Sequence, residues 1–186
     1  MIHVSHLQRK IQVVLAGLVF ALTLTACCPY PHDEREAPVF DGTLTRQGTP
    51  AANIRVTLST RTMSSVGCAD PKVETRTDSS GKFHLDPPQY SVLGIGFGDR
   101  LDTWSVCFKF ADGLEAVWND DGYWGGPGFE ILECEISADK SPSGTLQLGK
   151  ITAGANLANG CRVQSFSTAD YTKTREAQRS TSSKSK

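Results

Sequence analysis

Between Val39 and Leu85 the chain alternates apolar and polar side chains, in short runs separated by turn residues. Phe40 and Leu44 fall on one face of a first run, with Asp41, Thr43 and Thr45 on the other. Ile54, Val56 and Leu58 share a face of a second, while Arg55, Thr57 and Ser59 point away. Phe83 and Leu85 oppose Lys82 and His84 in a third. Successive side chains of an extended strand leave on opposite faces, so a period of two predicts antiparallel strands with one face buried. The turns carry their own chemistry. Gly48-Thr49-Pro50 separates the first two runs, and Asp78-Ser79-Ser80-Gly81 separates Lys72–Thr77 from Lys82–Leu85. Asp78 can accept from backbone N–H groups within its turn, and Gly81 can take the positive φ needed before the next strand.

The alternation returns further along. Trp104, Val106, Phe108 and Phe110 alternate with Ser105, Cys107 and Lys109 across Leu101–Phe110. Leu132, Cys134 and Ile136 alternate with Glu133 and Glu135 across Phe129–Ser137. Thr145–Ile151 predicts a last strand after the Ser141-Pro142-Ser143-Gly144 turn, and Asp86-Pro87-Pro88 stops the strand that ends at Leu85, because proline has no N–H for a ladder. Two stretches stay open: Leu114–Trp118 fits a short strand or a helical turn, and Tyr90–Phe97 an irregular strand or a loop packed on the core. Arg61–Pro71 is a loop carrying Cys68. The pattern predicts an all-β domain, an antiparallel β-sandwich over residues 38–163.

The flanks differ in composition. Residues 1–26 have a short basic start with Arg9 and Lys10, then an apolar run from Ile11 to about Thr25, then small residues before Cys27. That is the build of an export signal, too short for a membrane-spanning helix of about 20 apolar residues. Residues 27–37 follow as a polar tether containing His32. Residues 164–186 are rich in Ser, Thr, Lys and Arg, with too few apolar groups to offset the entropy of ordering them; they are expected to be disordered. Without residues 1–26 the chain has 17 Lys and Arg against 20 Asp and Glu. The surplus of base lies in the tail, so the folded part is acidic and offers no basic face to a nucleic acid.

There are six cysteines: Cys27, Cys28, Cys68, Cys107, Cys134 and Cys161. The last four lie well apart inside the domain, as expected for two disulfides in an oxidising compartment. Their spacing lacks the close pairs of a structural zinc site, and no metal is expected. The connectivity preferred from the strand pattern is Cys107–Cys134 with Cys68–Cys161. Against it, Cys107 lies off the apolar face of its own run, where a bridge would instead clamp an outer segment.

Two resemblances rest on these residues. Gly42-Thr43-Leu44, Gly48-x-Pro50, Ala51-Ala52, Ile54-x-Val56-x-Leu58 and Thr75-x-Thr77-Asp78-x-x-Gly81-x-Phe83-x-Leu85 resemble the carboxypeptidase regulatory-like domains. The likeness spans about a quarter of the chain. It implies a transthyretin-like, immunoglobulin-like antiparallel sandwich of about seven strands, a non-catalytic module. Leu24-Thr25-Ala26-Cys27 resembles a bacterial lipoprotein signal box. That likeness implies cleavage before Cys27, acylation of its thiol and new amine, and attachment to the membrane by lipid. Cys28, rather than an aspartate, follows the anchor, and by the same likeness this favours the outer membrane. Cys28 itself is left without an assigned partner.

No catalytic constellation assembles. Beyond the signal the histidines are His32 and His84, and neither lies in a nucleophile motif. There is no HExxH, P-loop or GxGxxG. The Tyr-Arg-Gly-Ser ending of transthyretin-like ureide hydrolases is missing as well. Neither enzyme activity nor a cofactor is expected. The stretch with binding character is Trp118–Phe129, which crowds three large aromatics, Asp120, Asp121 and four glycines before its final phenylalanine. Tyr123 and Trp124, beside Asp120 and Asp121, are the candidate ligand residues. Rings next to carboxylates suit a protein surface or a sugar. The sequence thus predicts an envelope lipoprotein presenting a structural or protein-binding module, or alternatively a carbohydrate-binding module acting through residues 118–129.

Overall fold

The computed structural model describes residues 30–62, 67–94, 100–123, 125–137, 144–151 and 159–167, together with 170 and 173. Cys27, Cys28, Trp124 and most of the basic tail lie outside these described residues. Two compact units divide the chain. The smaller holds all but the last residue of β1 (Tyr30–Glu34) and all but the first of β7 (Tyr90–Gly94); the two strands pair as a two-stranded sheet, and the Ser91 hydroxyl donates to Asp33 at 2.6 Å.

The larger unit is all-β, a curled, largely antiparallel ten-stranded sheet that forms a half-barrel. Its members are β2 (Val39–Arg46), β3 (Thr49–Pro50), β4 (Arg55–Thr62), β5 (Val73–Arg76), β6 (Lys82–Leu85), β8 (Leu101–Lys109), β9 (Glu115–Tyr123), β10 (Phe129–Ile136), β11 (Thr145–Ile151) and β12 (Gly160–Phe166). The order is β3-β2-β10-β12-β11-β9-β8-β4-β5, with β6 lying along β2 on the same edge as β3. Three pairings are parallel: β2 with β10, and β11 with both β9 and β12. β11 is the joint. Thr145–Leu148 pair with Glu115–Trp118, and Gly149–Ile151 then pair with Gly160–Arg162.

The strand count exceeds the roughly seven that the family resemblance implies. The additions are β1, β3 and β12, which are short or weakly alternating in sequence, together with β7 and β9, where the two stretches left open in the sequence both form strands. β1 and the buried Ala37 fall within the segment expected to be a tether, and β12 runs three residues into the segment expected to be tail.

The core lies between the two halves of the sheet. Phe40 and Leu44 of β2, Phe83 and Leu85 of β6, and Leu132 and Ile136 of β10 meet Val56 and Leu58 of β4, Trp104, Val106 and Phe108 of β8, and Trp118 of β9. Phe40 meets Trp118 edge-on at 6.1 Å, and Phe83 meets Phe108 at 5.6 Å, a favoured geometry for aromatic pairs. These are the faces that alternation assigns. The turns also form as their residues require. Asp78 Oδ1 accepts from Ser80 N at 2.8 Å and Lys82 N at 2.9 Å, and Gly81 has φ 77°.

Two disulfides brace the sheet, and their pairing corrects the preferred one: Cys68–Cys107 and Cys134–Cys161, not Cys107–Cys134 and Cys68–Cys161. Strand order is the reason. β10 and β12 are neighbours, with Cys134 opposite Cys161 and their Cα atoms 4.1 Å apart. Cys107 leaves the other face of β8, beside Thr57 of β4, and is met there by Cys68 from the loop between β4 and β5. Thr57, Ser59 and Ser105, polar residues of that outer face, are buried as well.

Candidate functional site

The residues singled out in sequence divide between two faces of one strand. Asp120, Asp121 and Tyr123 belong to β9, which stays extended through Tyr123 rather than opening into a loop at Trp118. Period two then separates the two acids. Asn119, Asp121 and Tyr123 face solvent, and Tyr123 is 62% exposed. Trp118 and Asp120 face inward. Trp118 is fully buried, whereas the Asp120 carboxylate takes a 2.9 Å ion pair from Lys150 of β11 and accepts from Asp121 N at 3.0 Å. The bond to Asp120 holds the Lys150 ammonium above its usual pKa. Asp120 and Tyr123 therefore do not share a surface. After Tyr123 the chain turns at Gly125 and Gly126, where Gly126 N donates to the Tyr123 carbonyl at 3.0 Å. Any side chain at Gly126 would collide with the Trp104 indole, so this turn lies flat on the core.

Beside the Asp120–Lys150 pair sits a residue that the sequence reading passed over. Glu130 is 2% exposed and projects from the same face of β10 as Leu132, Cys134 and Ile136. One of its oxygens accepts from the Ser165 hydroxyl of β12 at 3.0 Å; the other, Oε2, has no hydrogen-bond partner among the described residues. Burial pushes the carboxyl up to about 7, the Ser165 bond opposes this, Asp120 adds to it and Lys150 subtracts. The signal was available: extending the Leu132-Cys134-Ile136 alternation two residues back lands on Glu130. Its neighbour Phe129 faces the opposite way and packs on Phe166.

Arg100, Thr60 and His84 have structural partners. Within the larger unit, Arg100 bridges Asp102, Glu34 and the Arg35 carbonyl, and Thr60 donates to Glu36 at 2.5 Å, which holds residues 34–37 in place. His84 Nδ1 lies 2.6 Å from Asp41 across β2 and β6. That is one of the contacts a triad requires, but no hydroxyl meets this imidazole among the described residues. Also among them, no group of three or more His, Cys, Asp or Glu could hold a metal ion, and no helix is long and apolar enough to cross a membrane. No protein-family model and no curated protein matches the chain.

Proposed function

We propose that this chain is an exported envelope lipoprotein, anchored through acylated Cys27, whose β-sandwich-like body is a non-catalytic structural or protein-binding module. The observation that carries this reading is the pair of disulfides within one small all-β body, which belongs to an oxidising compartment, behind an N-terminus built as an export signal. The transthyretin-like resemblance of residues 39–85 supports a scaffold rather than a catalyst. The outer face of β9, with Asn119, Asp121 and Tyr123, is the recognition surface we assign to it, since an exposed aromatic beside a carboxylate suits a polar partner.

Cys27→Ser is the decisive variant. In cells fed a labelled fatty acid, the wild-type chain should carry label and fractionate with membranes, and the variant should lose both. Label retained by the variant would overturn the anchor. The carbohydrate reading has one observation in its favour, the 62% exposure of Tyr123. A glycan array with wild type and Tyr123→Ala distinguishes the two. Saccharide binding lost in the variant favours the sugar module, whereas no saccharide binding with a Tyr123-dependent protein crosslink favours the accessory module.

A further inference from the structure

We propose that Glu130 is a proton-binding site that controls how tightly the two halves of the sheet are joined along β11. The joint is narrow. β11 holds β9 through four residue pairs and β12 through three, Gly149–Gly160, Lys150–Cys161 and Ile151–Arg162. Lys150 sits in the part that pairs with β12, yet its ammonium reaches across to Asp120 of β9, so an ion pair spans the joint. Glu130 is enclosed next to this pair. Its Cα partners are Phe40 of β2 and Ser165 of β12, and Asp120 of β9 and Lys150 of β11 are the charges that act on it. Of the other charges on these strands, Asp121 faces solvent and acts on Lys150, Arg162 is paired with Glu133 and Arg46 with Asp112, Glu135 accepts from Thr45 and Gly48, Asp41 bonds to His84, and Glu115 stands at the far end of β9 opposite Lys109.

Protonated Glu130 is neutral, and Lys150 then keeps its ion pair with Asp120. Ionised Glu130 places a second, buried negative charge beside the pair, with Oε2 unpartnered among the described residues. Such a charge is costly until it gains a cation or water. Either Lys150 is drawn from Asp120 or the β11–β12 edge opens to hydrate the carboxylate, and both weaken the joint. The sign is the reverse of the usual surface carboxylate. The folded chain keeps a proton that the unfolded chain releases near the ordinary glutamate value of 4.5, whereas burial pushes the folded carboxyl up to about 7. Stability is therefore greatest below the first value and falls as pH rises through this window. Each unit across it changes the folding equilibrium by up to about tenfold.

The test is hydrogen exchange of the disulfide-intact chain between pH 5.5 and 8, corrected for intrinsic exchange rates and read at residues 145–151 and 160–166. Wild type should open on the order of tenfold more readily at the upper pH. Glu130→Gln should show a flat profile, and Lys150→Met a steeper one. A flat wild-type profile, or the same slope in Glu130→Gln, overturns the proposal. Should Glu130→Gln fail to fold, the Glu130 carboxyl resonance of the wild type decides: a midpoint near 7 supports the site, and one below 5 removes it.

Discussion

Gly81→Ala tests whether the Asp78 turn is built by a backbone requirement or by general tolerance. Gly81 has φ 77°, and its N–H donates to the Asp78 carbonyl at 3.0 Å while its own carbonyl accepts from Leu44 N at 2.8 Å. A methyl group there meets two penalties. The left-handed backbone costs an L-residue about 1–2 kcal/mol. The added carbon would also overlap the Leu44 carbonyl oxygen, which already accepts from Ala51 N at 2.9 Å. A backbone atom cannot rotate aside, so β2 must move away from the turn and weaken at least one of these hydrogen bonds, worth about 1 kcal/mol. Alanine's lower unfolded-state entropy returns about 0.4–1 kcal/mol. The balance is a loss of about 2 kcal/mol. Gly48 provides the control, because it has φ 73° with nothing within 4 Å of its added carbon. Gly48→Ala carries only the backbone penalty less the entropy gain, about 1 kcal/mol or below. With a urea slope of about 1–3 kcal/mol/M, Gly81→Ala should lower the midpoint clearly more than Gly48→Ala. Equal shifts would refute the overlap at Leu44, and an unshifted Gly81→Ala would refute the turn.

Non-reducing peptide mapping should recover one peptide pair joining Cys68 to Cys107 and another joining Cys134 to Cys161; a Cys107–Cys134 peptide would contradict the strand order itself. Replacing both Cys134 and Cys161 with serine should destabilise the domain by about 2–5 kcal/mol in urea unfolding. Trp118→Ala should cost about 3–5 kcal/mol, because the indole is fully buried against Phe40. Tyr123→Ala should stay within about 0.5 kcal/mol of wild type on the same assay. A destabilisation by Tyr123→Ala as large as that of Trp118→Ala would make the β9 surface structural.

The sequence by itself determined the faces. Phe40 and Leu44, Val56 and Leu58, Phe83 and Leu85, and Trp104, Val106 and Phe108 are buried where alternation puts them, because the pleat of an extended backbone is local and its period is two. Asp78 and Gly81 were equally legible, since a tight turn is settled by its own few residues. Tertiary structure decided which strands are neighbours. That choice depends on closing loops of tens of residues and on what each face then meets, and no short window of sequence contains it. Hence Cys134 joins Cys161 because β10 lies beside β12, and Cys107 joins Cys68 because the outer face of β8 meets the loop after β4. Asp120 and Asp121, adjacent in sequence, separate onto opposite faces, the first in an ion pair with Lys150 and the second toward solvent, once β9 continues as a strand. Glu130 belongs to both accounts. Alternation alone places its carboxyl on the inner face, but only the fold shuts it away from water and sets Asp120 near it; burial and Asp120 raise its pKa against the opposing pull of the Ser165 hydrogen bond and Lys150.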